Sequence, residues 1–168
     1  MVKIRPAVRS DAAAIVSVRQ EAIFSKAAAH YAPGILDAWA ASAMPDREAR
    51  VELQIADPGF VVLVAETGEE IIGYAIATPA RSELRAVYVK PNPIGRVGRA
   101  LLEAIEQRVF NSGTEFLVCS ASLSGEAFYK FNGYTEDHRG HYRMRNGDLM
   151  DCVFMRKKLA PPAPADKG

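Results

Sequence analysis

The chain has only two cysteines in 168 residues, Cys119 and Cys152, and a single tryptophan. The cysteines lie far apart, each inside an apolar stretch (FLVCS and DCVFM), which excludes a disulfide framework and a clustered metal site. They read as buried thiols of a reducing compartment. No run of apolar residues reaches the length of a membrane span, and the opening MVKIRPAVRSD lacks the apolar core of a secretory signal. No membrane partner is expected, and the cytoplasm is the expected location. Neither sign of charge is in excess: 21 Lys and Arg against 20 Asp and Glu leave +1, so no global field draws the chain onto nucleic acid. Neither GxxxxGK[ST] nor GxGxxG occurs, which disfavours a nucleoside triphosphatase or a dinucleotide fold.

With 49% apolar and 24% charged residues, the chain has the composition of a globular protein, and its length suits one domain. KIRPAV predicts a short first strand. Ser10 is placed to cap a helix that carries Asp11 in its first turn and Ile15, Val18, Ala22 and Ile23 along one stripe. Pro33-Gly34 interrupts before a second helical pattern through Ile35, Leu36 and Trp39, and Pro45-Asp46 opens a third through Val51 and Ile55, ended by Asp57-Pro58-Gly59. The period then changes. FVVLVAE (60–66) and IIGYAIA (71–77) predict an antiparallel hairpin, and ELRAVYV (83–89) a further strand with Leu84, Ala86 and Tyr88 on one face.

That strand runs into KPNPIGRVG and then into RALLEAIEQRVF, where Val97, Leu101, Ile105 and Val109 keep a four-residue step. EFLVCS (115–120) predicts another strand, Ser124–Phe131 a short helix stopped by Asn132-Gly133, and Tyr134–Leu159 a last hairpin in which EDHRGHYR is a polar loop. Residues 1–159 form the expected domain, and 160–168 a Pro- and Ala-rich tail expected to be disordered. The segment 89–102 places a helix N-terminus at the end of a strand, with Gly95 and Gly98 allowing close backbone approach and Arg96 and Arg99 adding charge. Open amides and the positive end of the helix dipole favour a phosphate or pyrophosphate there; the alternative is an ordinary turn into a surface helix.

This strand, loop and helix resemble the acetyl-CoA-binding segment of the GCN5-related N-acetyltransferase (GNAT) superfamily, with its [QR]-x-x-G-x-[GA] after a strand ending V-x-P. Val89-Lys90-Pro91 matches the strand end, and Gly98-Arg99-Ala100-Leu101-Leu102 the last glycine and helix start. The middle departs: aligned on Gly98, the leading Gln or Arg falls at Pro93 and the first glycine at Arg96, whereas a one-residue deletion matches Gly95-Arg96. IRPAVRSDAAAIVSVRQEAI is similar to the family's first strand and helix, and SGEAFYKFNGY to its second signature, so the resemblance runs from residue 2 to 159.

The resemblance implies an α+β fold, a central, mostly antiparallel sheet whose fourth and fifth strands splay apart, with helices on both faces. It implies acetyl-CoA as co-substrate, without a metal, and transfer of the acetyl group to a primary amine of a small molecule or protein. Backbone of Val87 and Val89 would pair with pantetheine, Gly95, Arg96, Val97, Gly98, Arg99 and Ala100 would hold the pyrophosphate, and Ser124 or Ser122 would replace a pantetheine-contacting Asn. Tyr129 takes the place of a tyrosine that protonates the coenzyme A sulfur; a packing role beside Phe128 and Phe131 is the alternative. Glu83 is the candidate base, acting through water, with pairing to Arg85 as its alternative. His30 reads as a capping or exposed residue, Trp39 as core, and His138 and His141 lack a third ligand. An acyl-CoA sensor or catalytically weak module is the competing function, and either a monomer or a homodimer is compatible.

Overall fold

A computed structural model describes residues 1–40, 46–92 and 95–161. Expectations placed on Pro45, on Pro93 and on the tail from 162 lie outside the described residues. Seven strands form one sheet: β1 (Lys3–Pro6), β2 (Val61–Thr67), β3 (Glu70–Thr78), β4 (Glu83–Val89), β5 (Phe116–Ser122), β6 (Thr135–Arg143) and β7 (Leu149–Lys158). Their order is β1-β2-β3-β4-β5-β7-β6, and every neighbouring pair is antiparallel except β4 and β5. This is the mostly antiparallel sheet that the resemblance implies.

Helix α4 (Val97–Asn111) covers one face; α1 (Ala12–Lys26), α2 (Pro33–Ala40) and α3 (Arg47–Ala56) cover the other, and α5 (Glu126–Phe131) follows β5. The four-residue step places Val97, Leu101, Ile105 and Val109 in one stripe, all at 2% exposure or less. Alternation along β2 divides the two cores cleanly, with Leu63 and Ala65 under α4 and Val62 and Val64 under α1 and α3. Gly73 lets α4 approach, because a Cβ there would stand 2.9 Å from Leu101 Cδ1 and 3.0 Å from Tyr88 O. Cys119 and Cys152 are free and buried.

Three local expectations change. Ser10 does not cap α1: Arg9–Asp11 form a 3-10 turn, and the Asp11 carboxylate accepts the Val8 N–H (2.8 Å) and two N–H groups of Arg5 (2.7 and 3.1 Å). Leu84 does not share a face with Ala86 and Tyr88. A register shift opposite Ile76 and Ala77 leaves Arg85 without a cross-strand partner, so Leu84 points to the α4 core and Ala86 and Tyr88 to the α1 core. The segment EDHRGHYR is strand, not loop. It belongs to the edge strand β6, exposed along nearly its whole length, and an edge exposed on both faces carries no apolar alternation to reveal it.

Candidate active site

β4 and β5 meet at one register only, Glu83 beside Val118, where the Val118 N–H donates to Ser82 O at 2.8 Å. From there they separate, and β5 spends its ladder on β7. The Lys90 N–H donates to Ile72 O at 2.9 Å, so Tyr88 and Lys90 direct their backbone groups toward β3. Val87 and Val89, of opposite parity, turn theirs into the gap.

A cleft of about 620 Å³ fills that gap. Glu83, Val87, Val89, Gly95, Arg96, Val97, Gly98, Arg99, Ser124 and Tyr129 all line it. Ala100 does not, and its amide donates to Arg96 O at 3.0 Å. The amides of Val97, Gly98 and Arg99, in the first turn of α4, have no carbonyl within the helix to meet. Gly95 takes a φ of +79°, a left-handed turn that leads the chain into the helix. A Cβ on Gly98 would stand 3.3 Å from the Phe128 ring, so the first turn and α5 approach closely across the cleft. Arg96 is exposed at this mouth, whereas Arg99 is tied to Glu103 by an ion pair of 2.7 Å.

Tyr129 is held by edge-to-face contacts with Phe128 (5.2 Å, 72°) and Tyr134 (5.3 Å, 67°). Burial raises its pKa well above the ordinary tyrosine value, with Cys119 and Tyr88 adding in the same direction. The phenol therefore stays protonated at neutral pH. Beneath it, the Tyr134 hydroxyl donates to buried Glu106 (3.0 Å), whose other oxygen meets Lys157 Nζ (2.7 Å). The turn before α5 is closed by Ser122, whose Oγ accepts the Gly125 N–H (3.1 Å) and lies 3.0 Å from Ser124 Oγ. Glu83 is half-exposed, and its nearest contact with Arg85, at 3.9 Å, leaves the carboxylate accessible from the cleft.

Sequence reasoning missed the aromatic cluster at the other end. Trp39, expected in the core, lines the cleft and donates from Nε1 to the Tyr88 hydroxyl (3.1 Å). Arg19 Nη1 donates to the same hydroxyl (3.2 Å), and Tyr88 stacks on Tyr74 at 5.4 Å. Nearby, the Tyr31 hydroxyl accepts the Leu123 N–H (2.8 Å) and donates to Asp151 O (2.7 Å). The hint available in the sequence was the helical spacing of Trp39, which cannot tell a core face from a cleft face. His30 is exposed, His138 stacks on Phe154, and His141 pairs with Asp151 at 2.7 Å; all three stand outside the cleft. Among the described residues no three His, Cys, Asp or Glu side chains converge as a metal site, and no helix is long and apolar enough to cross a membrane.

The acetyltransferase (GNAT) domain family model matches residues 19–159. The chain belongs to the GNAT family. A GCN5-related N-acetyltransferase from Rhodopseudomonas palustris is 28% identical, covering 94% of this chain and 95% of its own, with a TM-score of 0.83. The PaiA N-acetyltransferase of Thermoplasma acidophilum, in complex with coenzyme A, is 18% identical over 95% of this chain and 99% of its own, with a TM-score of 0.76. The yncA protein of Salmonella typhimurium, with its cofactor acetyl-CoA, is 24% identical over 99% of both chains, with a TM-score of 0.65. These last two share the fold. Comparison with curated proteins finds no match. Within the GNAT domain, the diverging pair β4 and β5 is the feature that distinguishes this sheet from a closed one.

Proposed function

We propose that this GNAT protein transfers the acetyl group of acetyl-CoA to a primary amine. The observation that carries the reading is the parting of β4 from β5, which leaves the backbone of Val87 and Val89 unpaired beside a helix N-terminus. An extended pantetheine arm can complete the strand edge there, as an added strand would. Its pyrophosphate falls to the open amides of Val97, Gly98 and Arg99, with Arg96 beside them. Bound acetyl-CoA supplies an activated acyl carbon: the amine nitrogen bonds to that carbon, the carbon–sulfur bond breaks, and coenzyme A leaves as thiol.

Two protons must move in this exchange. Glu83 takes the proton shed by the attacking amine through an intervening water. Tyr129 gives its phenolic proton to the departing sulfur and regains one from solvent. Ser122 and Ser124 offer hydroxyls to the pantetheine amides from the β5 side of the cleft.

The test is direct. Saturating acetyl-CoA should raise the melting temperature while ATP and NAD should not, since a ligand of the native state stabilises it by mass action. Thiol release across an amine panel then measures transfer. An unchanged melting temperature at saturating acetyl-CoA refutes the reading.

A further inference from the structure

A second cavity, of about 290 Å³, adjoins the cleft and shares Arg19, Trp39, Arg85 and Tyr142 with it. Five arginines line it: Arg19 from α1, Arg47 and Arg50 from α3, Arg85 from β4 and Arg145 from the β6–β7 turn. No Asp or Glu stands among its described lining residues. Arg50 is matched by Asp46 at 2.6 Å, and Arg85 loosely by Glu83 at 3.9 Å. Among the described residues Arg19 has only neutral hydrogen-bond partners, Trp39 O (2.8 Å) and the Tyr88 hydroxyl (3.2 Å). The Nε atoms of Arg19 and Arg47 are buried without a hydrogen-bond partner among the described residues.

Burying part of a guanidinium without a counter-charge is costly, and Arg19 and Arg47 both do so here, which an anion bound between them would offset. Arg47 opens α3, where a cation opposes the helix dipole. Burial above all, with the nearby Arg19 charge adding to it, pulls Arg47 below its ordinary pKa. Arginine forks match carboxylate and phosphate oxygens in pairs. The volume suits a small molecule rather than a protein side chain on a folded surface.

Resting on the acetyltransferase reading above, we infer that the acceptor is a small primary amine bearing a carboxylate or phosphate group, anchored by Arg19, Arg47 and Arg145 so that its nitrogen enters the acetyl-donor cleft. The anion sits in the arginine cavity, and the shared wall of Trp39 and Tyr142 lies between it and the reacting end. The selectivity is for charge rather than size. Neutral amines of the same length lack the group that Arg19, Arg47 and Arg145 would hold.

The experiment holds coenzyme A at saturation, so that its own phosphate site is filled, and titrates inorganic phosphate or malonate at constant ionic strength set with chloride. A saturable rise in melting temperature is expected in the native protein, weakened at least tenfold in apparent Kd by Arg47→Gln and by Arg145→Gln. Arg145 is exposed in a turn, so its variant folds even if the α3 variant does not. Turnover of amino acids against their carboxamides, and of aminoalkyl phosphates against aminoalcohols, then separates the two anions. The charged member should have a KM at least tenfold lower, and Arg47→Gln should erase the difference with the acetyl-CoA Kd unchanged. No saturable shift with either anion, shifts unaltered in both variants, or equal KM for acid and amide overturns the inference. A protein that coenzyme A itself fails to stabilise refutes the acetyltransferase reading instead.

Discussion

Replacing Tyr129 by Phe removes one oxygen atom and tests the proton-donor role with little else disturbed. Both aromatic contacts of the ring, at 5.2 and 5.3 Å, remain in the variant. The hydroxyl has no hydrogen-bond partner among the described residues, so its loss should change folding stability by less than about 1 kcal/mol. The kinetic cost is larger. A positioned general acid is worth roughly 10²–10⁴-fold. A thiolate, whose conjugate acid has a pKa near 8.5, is already a fair leaving group, which places the loss at the lower end. We expect kcat to fall about 100-fold, or about 2.7 kcal/mol of barrier, with the acetyl-CoA Kd unchanged. Calorimetric binding, thiol release and melting curves on the same preparation measure all three. A variant with full kcat refutes the donor role; one that loses several kcal/mol of stability shows instead that the hydroxyl is structural.

Further expectations follow from other parts of the molecule. Glu83→Gln should lower kcat by about 100-fold in steady-state assays while the acetyl-CoA Kd holds, the signature of a lost base rather than a lost contact. Asp11→Asn should cost about 1–3 kcal/mol in urea unfolding, because a carboxylate holding Arg5 and the Val8 amide becomes a neutral amide. Burial works against the Asp11 charge, but the hydrogen bonds from Arg5 and Val8 prevail and hold its pKa below the ordinary value. Its contribution is therefore full above the unfolded carboxyl pKa and is lost as pH falls through the depressed one. At the other extreme, burial pushes the Cys119 thiol up to about 12. Stability from the buried thiol is complete below the unfolded pKa near 8.5 and declines as pH rises toward 12, which alkaline denaturation of Cys119→Ala against the parent would reveal.

The elements most legible in the sequence were those whose periodicity reports burial on one side. Val97, Leu101, Ile105 and Val109 announced α4, and the β2–β3 hairpin followed from two apolar runs around Gly68. The faces of β4 were misread because a bulge at Arg85 reverses the alternation without altering residue types. The last hairpin was expected, but EDHRGHYR within it read as loop because hydrogen bonds to β7, rather than a buried face, make it a strand. Of the site, the strand–loop–helix unit is contiguous and could be read directly. Tyr88, Trp39 and the arginine cavity draw on α1, α2, α3, β4 and the turn at Arg145, and only the fold brings them together.

Amide hydrogen exchange with and without acetyl-CoA bears most directly on the parting of β4 and β5 as the donor site. The amides of Val87 and Val89, together with those of Val97 to Arg99, should slow markedly when acetyl-CoA is added, while the β2–β3 ladder stays as it was. Protection confined to other segments, with these five amides exchanging at the same rate in both states, would contradict the account.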